Sequence, residues 1–190
     1  MCGIAGYFNP DQNYAENPKQ NFHTLSRMIN TMNHRGPDTY GHTIINSCCL
    51  AHTRLSIIDL ENGRQPMSYT KDGNTYYIVY NGEIYNYKEV KKTLLRKNYT
   101  FETNSDTEVI IAAFCHYGPG FVKELNGIFA IAIYDSMRNT LYLYRDRFGV
   151  KPLYYTKTGD TLVFASRIDT LFEYLSLIHI SEPTRPISIS

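Results

Sequence analysis

A cysteine stands directly behind the initiator methionine, in Met1-Cys2-Gly3-Ile4-Ala5-Gly6. Removal of the methionine leaves a thiol and a free α-amine on one residue. An α-amino group titrates near ~7.7–8.0 and a thiol near ~8.5, so the amine can take the thiol proton, directly or through a water. That is how an N-terminal nucleophile is activated. Taken alone, Cys2 reads better as a small apolar residue opening a buried strand, or as a lipid-modified cysteine. Other residues have to reverse that reading. Arg54 stands inside the apolar stretch Ala51–Leu60 (AHTRLSIIDL). A guanidinium in such a place needs a partner, and its planar fork suits a carboxylate, in a substrate or in an ordinary salt bridge. Asn81-Gly82-Glu83 follows the apolar run Tyr76–Tyr80. Asn-Gly at a strand end is usually a turn. An Asn side-chain amide and the next backbone N–H aimed at one oxygen would instead form an oxyanion hole, where losing one donor costs ~10²–10³ in rate. Glu83 and Asp106 are carboxylates able to hold a substrate ammonium, although Asp106 is also well placed at a helix N-terminus. His34-Arg35-Gly36-Pro37-Asp38 reads as a helix stop and turn at least as readily as a catalytic loop.

The elements that must position these residues follow from periodicity. Gly3–Phe8 reads as a short buried strand and the polar stretch 9–21 as loop. Leu25, Met28, Ile29 and Met32 have helical spacing within Phe22–Met32. Strands are expected around Gly41–Ile45, Cys48–His52 and Tyr76–Tyr80, and a helix near Tyr87–Lys97. Ser105-Asp106-Thr107-Glu108 matches a capping box opening a helix that stops at Gly118-Pro119-Gly120. From Gly127 the period becomes two. Ile128–Tyr134, Leu141–Arg145, Leu153–Lys157 and Leu162–Ser166 are strands joined by turns short enough for antiparallel neighbours. Ile128–Tyr134 is nearly all apolar, as a strand covered on both faces would be. The simplest architecture is α+β, with two mainly antiparallel sheets packed together and helices outside. Leu175–Ser190 lacks periodicity, and its SLIHISEPTRP core resembles translated sequencing-adapter read-through, so residues 175–190 are expected to be a non-native or disordered tail.

Composition removes several function classes. A chain of 190 residues holds one substantial domain, and 43% hydrophobic residues supply its core. The net charge of +1, with no Lys/Arg run longer than two residues, gives nothing to draw a nucleic acid. No apolar run approaches the ~18 residues of a membrane span. Cys2, Cys48, Cys49 and Cys115 form no Cys-x-x-Cys pair, which argues against zinc, any other metal centre or a disulfide framework and for a reducing cytoplasm.

Each chemical signal is weak singly. Together and in order, the blocks MCGIAGYF, HRGPD, RLSIIDL with GRQPM, YNGEIYNY, TNSDTEVI, LNGIFAIAIYD and RDRFGVKPLYY resemble the glutaminase domain of class II glutamine amidotransferases. These are N-terminal-nucleophile hydrolases, and the nearest match is the N-terminal half of glutamine-hydrolysing asparagine synthetase. The resemblance covers nearly everything from Met1 to about Ser166, and implies a domain over residues 2–174 with a four-layer αββα sandwich. It implies that Cys2 attacks the side-chain amide of glutamine, with its own α-amine as base. Asn81 and Gly82 would stabilise the oxyanion, Arg54 would grip the substrate α-carboxylate, and Asp106 and Glu83 would receive its ammonium. Backbone groups of Leu55, Ser56, Ile57 and Ile58 would line the pocket. No cofactor is implied for this half. ATP and Mg belong to a C-terminal synthetase domain whose Ser-Gly-Gly-x-Asp-Ser loop is absent here. Near Arg167 the family usually has Glu, a departure. The expected partners are glutamine and that synthetase domain, with a homodimer left open. Two other readings compete: the glutaminase domain of a glucosamine-6-phosphate synthase or amidophosphoribosyltransferase, and an inert binding module that keeps the fold.

Overall fold

A computed structural model describes residues 2–54 and 64–181, the last four as backbone only. The chain runs β1 (Gly3–Phe8), α1 (Pro18–Met32), β2 (Thr39–Ile45), β3 (Cys48–Arg54), β4 (Met67–Lys71), β5 (Asn74–Ile84), α2 (Tyr87–Leu95) and α3 (Asp106–Tyr117). It continues through β6 (Gly127–Asp135), β7 (Thr140–Arg145), β8 (Tyr154–Thr158), β9 (Thr161–Ala165) and α4 (Ile168–Ser181). Strands in the order β2-β3-β1-β9-β8 make one antiparallel sheet, and β4-β5-β6-β7 make the other. The fold is α+β, as expected.

Three apolar layers show how the sheets stack. Ile4, Cys48, Leu50, Val79, Ala130, Ala132, Tyr134 and Phe164 fill the space between the two sheets. Ala5, Tyr7, Cys49, Ala51 and Val163 face the other way, against Leu25, Met28, Ile29 and Met32 of α1 and Leu171 of α4. Ile78, Tyr80, Ile84, Ile131 and Ile133 pack under α2 and α3. This gives helices, sheet, sheet, helices. β6 is covered on both faces, its odd residues toward α3 and its even ones toward the first sheet. Cys48 and Cys49 point to opposite faces by the same period of two.

Several boundaries differ from the sequence reading. Helix α1 starts four residues early because Pro18 takes its first turn, where a missing N–H costs nothing. Edge strand β4 was not expected; only alternate residues are half-buried, so its pattern is faint. The turn at Gly149–Pro152 does not join antiparallel neighbours, since β7 and β8 lie in different sheets. Asp146 builds that crossing: its carboxylate accepts from the backbone N–H of Phe129, Phe148, Val150 and Lys151. Gly149, at φ +65°, makes the left-handed step the crossing needs. Helix α4 runs on to Ser181, across the Leu175 boundary, and is tied to α1 by Arg27–Glu173 at 2.7 Å and by the Thr31 and Thr170 hydroxyls at 2.6 Å.

Candidate functional site

Cys2 sits half-buried at the head of β1, the middle strand of its sheet. Register places Gly3 opposite Thr53 and Ile4 opposite His52, so Cys2 lies beside Arg54 at the end of β3. Side chains alternate, and Ile4 faces the layer between the sheets, so Cys2 opens toward that layer too. On the other side of the layer runs β5. Val79 points into it, and therefore so does Asn81.

Asn81 and Gly82 lie inside a strand, not in a turn. β5 continues to Ile84 because β6 pairs with it throughout, Asn81 against Ala130 and Gly82 against Phe129. Asn81 is 3% exposed, and its Nδ2 has no hydrogen-bond partner among the described residues. The other edge of β5 explains Gly82. β4 stops at Met67, opposite Ile78, and side chains replace it beyond that point. Gln65 Oε1 accepts from the Tyr80 N–H at 2.6 Å, and Asp106 Oδ2 accepts from the Ile84 N–H at 3.4 Å. Main-chain groups alternate direction, so the Gly82 N–H points to this same edge, between those two. A side chain at Gly82 would collide with the Ile128 carbonyl and the Phe129 Cα.

Asp106 opens α3, behind Ser105, whose side chain accepts from the Thr107 N–H at 3.1 Å. The expected capping box is altered. Glu108 reaches past Ser105 to the N–H groups of Glu102 and Thr103 and the Thr103 hydroxyl, at 2.6–2.8 Å. Asp106 Oδ2 also accepts from the Tyr80 hydroxyl at 2.8 Å. Burial raises the Asp106 carboxyl above the ordinary carboxylate value, and the bonds from Tyr80 and Ile84 partly offset this. Glu83 is exposed and opposite Ile128. Leu55, Ser56, Ile57 and Ile58 lie outside the described residues.

Three residues absent from the sequence-based site touch it. Arg35 Nε donates to the Cys2 carbonyl at 3.3 Å, while the Asp38 N–H bonds the Arg54 carbonyl at 3.2 Å, so the HRGPD turn packs on the nucleophile strand. Gln65 and Tyr80 brace β5 and Asp106. His52, on the same face of β3 as Cys48 and Leu50, is 2% exposed. The blocks HRGPD, GRQPM and YNGEIYNY were signals for Arg35, Gln65 and Tyr80; His52 carried none. A separate open cleft of about 510 Å³ lies beyond Arg35, lined by Tyr154, Ser166, Arg167 and Phe172. There Arg167 pairs with Asp169 and contacts His34 Nε2 at 2.7 Å.

A family model described as a glutamine amidotransferase domain matches residues 1–183. The chain belongs to the glutamine amidotransferase domain family. It is similar to asparagine synthetase [glutamine-hydrolyzing] 3 of Bacillus subtilis, 40% identical over 174 residues, covering 92% of this chain and 28% of that protein. Asparagine synthetase B [glutamine-hydrolyzing] of Escherichia coli is 40% identical over 165 residues, covering 86% of this chain and 28% of that one. This amidotransferase domain therefore spans just over a quarter of the length of these curated relatives. Among solved structures, the glutamine phosphoribosylpyrophosphate amidotransferase of B. subtilis superposes with a TM-score of 0.66 at 19% identity, covering 90% of this chain and 43% of that one. That likeness concerns the fold of the domain alone.

Proposed function

We propose that this amidotransferase domain hydrolyses glutamine to glutamate and ammonia through a thioester on Cys2. With Met1 removed, the free α-amine takes the thiol proton, and the sulfur attacks the side-chain amide carbon. The carbonyl oxygen becomes an oxyanion that accepts from Asn81 Nδ2 and the Gly82 N–H. The α-ammonium returns its proton to the departing nitrogen, ammonia leaves, and water cleaves the γ-glutamyl thioester. Arg54 binds the substrate α-carboxylate, Asp106 and Glu83 its α-ammonium, and backbone groups of Leu55–Ile58 line the pocket. This half-reaction needs no cofactor. In the whole protein, residues 2–174 would deliver ammonia in the cytoplasm to a C-terminal synthetase region that uses ATP and Mg to convert aspartate to asparagine.

The observation that carries this reading is the buried Asn81 amide, unpartnered among the described residues and facing the same inter-sheet layer as Cys2. A polar group left so costs ~1–3 kcal/mol, a cost understandable where a transient oxyanion is to be met. The decisive experiment combines intact mass with turnover. The mature chain should lack Met1 and release glutamate from glutamine, and Cys2→Ala should abolish release while melting like wild type. Undiminished release by Cys2→Ala, or a retained methionine on an active chain, discards the mechanism.

A further inference from the structure

Asp106 is a half-buried carboxylate, and among the described residues no Lys, Arg or His lies within ion-pair distance of it. A buried charge in that position leaves its cation to be brought by a ligand. Nor is Asp106 spent on capping, since Ser105 accepts from the Thr107 N–H at 3.1 Å. Its Oδ2 is held from two sides, by the Tyr80 hydroxyl at 2.8 Å and by the Ile84 N–H at 3.4 Å. Tyr80 is tied to the same helix turn a second time. Its N–H donates to Gln65 Oε1 at 2.6 Å, and Gln65 Nε2 donates to the Thr107 hydroxyl at 3.3 Å. The Tyr80 ring is 4% exposed and packs among the apolar residues under α2 and α3. The hydroxyl of a ring so enclosed stays where packing puts it, and the carboxylate takes its orientation from there.

Resting on the reading of Asp106 as a receiver of the substrate ammonium, we infer that Tyr80 is a positioning residue that sets the site's selectivity for an α-amino group. Its hydroxyl holds Oδ2 so that the carboxylate meets an incoming ammonium without turning. A carboxylate free to turn about its Cβ–Cγ bond would lose that freedom on binding the same cation, and would bind it more weakly. A substrate without the ammonium gains nothing from the arrangement, so selectivity depends on it. Burial, followed by the Asp106 charge, holds the Tyr80 phenol above its ordinary value, so it remains a donor throughout the neutral range. Asn81 is the next residue along β5, but the two side chains face opposite ways, Tyr80 toward α3 and Asn81 toward the inter-sheet layer. The hydroxyl therefore acts on substrate binding and not on the oxyanion.

The test uses the full chain as wild type, Tyr80→Phe, Asp106→Asn and the double variant Tyr80→Phe/Asp106→Asn. Ammonia release is measured against the concentration of glutamine and of glutaramate, which is glutamine without its α-amino group. Where glutaramate turns over too slowly, its inhibition constant against glutamine replaces its KM. Tyr80→Phe keeps the ring and loses the hydroxyl. It should raise KM for glutamine about 10-fold with kcat within about twofold, and should change the values for glutaramate less than about twofold. The double variant should bind glutamine little worse than Asp106→Asn alone, because Tyr80 acts through Asp106. A Tyr80→Phe chain with the wild-type preference, equal losses on both compounds, or a loss confined to kcat would each overturn the inference. If Asp106→Asn loses the preference while Tyr80→Phe keeps it, only this inference falls; if both keep it, the reading of Asp106 falls as well. A wild-type chain that releases no ammonia overturns the glutaminase reading and this inference with it. Should Tyr80→Phe melt below the assay temperature, proton NMR of the wild-type hydroxyl decides. A Tyr80 hydroxyl proton that shifts on saturation with glutamine but not with glutaramate supports the inference; one that responds to both alike, or to neither, overturns it.

Discussion

Energetics would separate a catalytic amide at Asn81 from a structural one. A structural carboxamide at 3% exposure would have both ends bonded; here Nδ2 meets no partner among the described residues. Asn81→Leu keeps the volume and removes the orphaned donor. Its folded state should be at least as stable as wild type, since an apolar isostere relieves up to ~1–3 kcal/mol of desolvation. Turnover should fall ~10²–10³-fold, because the remaining Gly82 N–H acts alone. A thermal melt beside a glutamate assay checks both, and a destabilised variant would mean that Asn81 is a structural residue. The residue types of the proposed site were read from sequence: a thiol next to an amine at Cys2, two donors in succession at Asn81-Gly82, a carboxylate at Asp106. Their supports were not. Arg35, Gln65 and Tyr80 act through bonds to or from main chain and carboxylate in segments remote along the chain, and the blocks that contain them do not tell what they bond.

At the scale of elements, the site depends on the first turn of α3 being held in place. Glu108 is 5% exposed and accepts three bonds from the Glu102 and Thr103 segment, while Ser105 caps the helix separately. Hydrogen bonds to a buried charge contribute ~1.5–3 kcal/mol each, with incomplete additivity. Glu108→Ala should therefore cost about 2–4 kcal/mol in urea unfolding. It should also raise KM for glutamine more than it lowers kcat, because Asp106 would lose its fixed place beside Tyr80 while Cys2 and Asn81 keep theirs. An unchanged KM would detach Asp106 from substrate binding. The Ser-x-x-Glu spacing announced a helix start correctly, and the helix begins where expected. It did not reveal that Glu108 would bypass Ser105, since that depends on how the preceding loop folds back. Likewise, the apolar periodicity of β5 breaks at Asn81 and Gly82, yet the strand continues to Ile84. Pairing with β6 overrides local turn chemistry there, and no single-strand pattern can register a neighbour's support.

The whole molecule is a stack in which the two sheets must keep a fixed relation for Cys2 and Asn81 to share one layer. Two packed sheets with helices outside were readable because β6 is apolar throughout, while the four-layer αββα order came from the family resemblance. The crossing at Asp146 was not, since a short turn between strands usually means adjacent strands and here carries the chain to the other sheet. His52 is buried in that layer, and its titration reports on the stack as a unit. The ordinary imidazole value is about 6.5 and burial, with Arg54 adding to it, lowers it to about 4 in the folded chain. Between those values the unfolded chain binds a proton that the native chain refuses, so stability falls as pH drops from 6.5 toward 4 and this contribution levels off below that. Above pH 6.5 it is constant. A separation of about 2.5 pKa units corresponds to about 3 kcal/mol. Asp146 and Asp169 titrate below the ordinary carboxylate value and Asp106 above it, and what all three add is common to wild type and His52→Asn and cancels between them. Urea unfolding of both chains at pH 7, 5.5 and 4.5 isolates the ring. Wild type should lose stability relative to His52→Asn progressively across that window; parallel losses in the two chains would mean that the ring accepts its proton in the folded state and that the sheets part to let it.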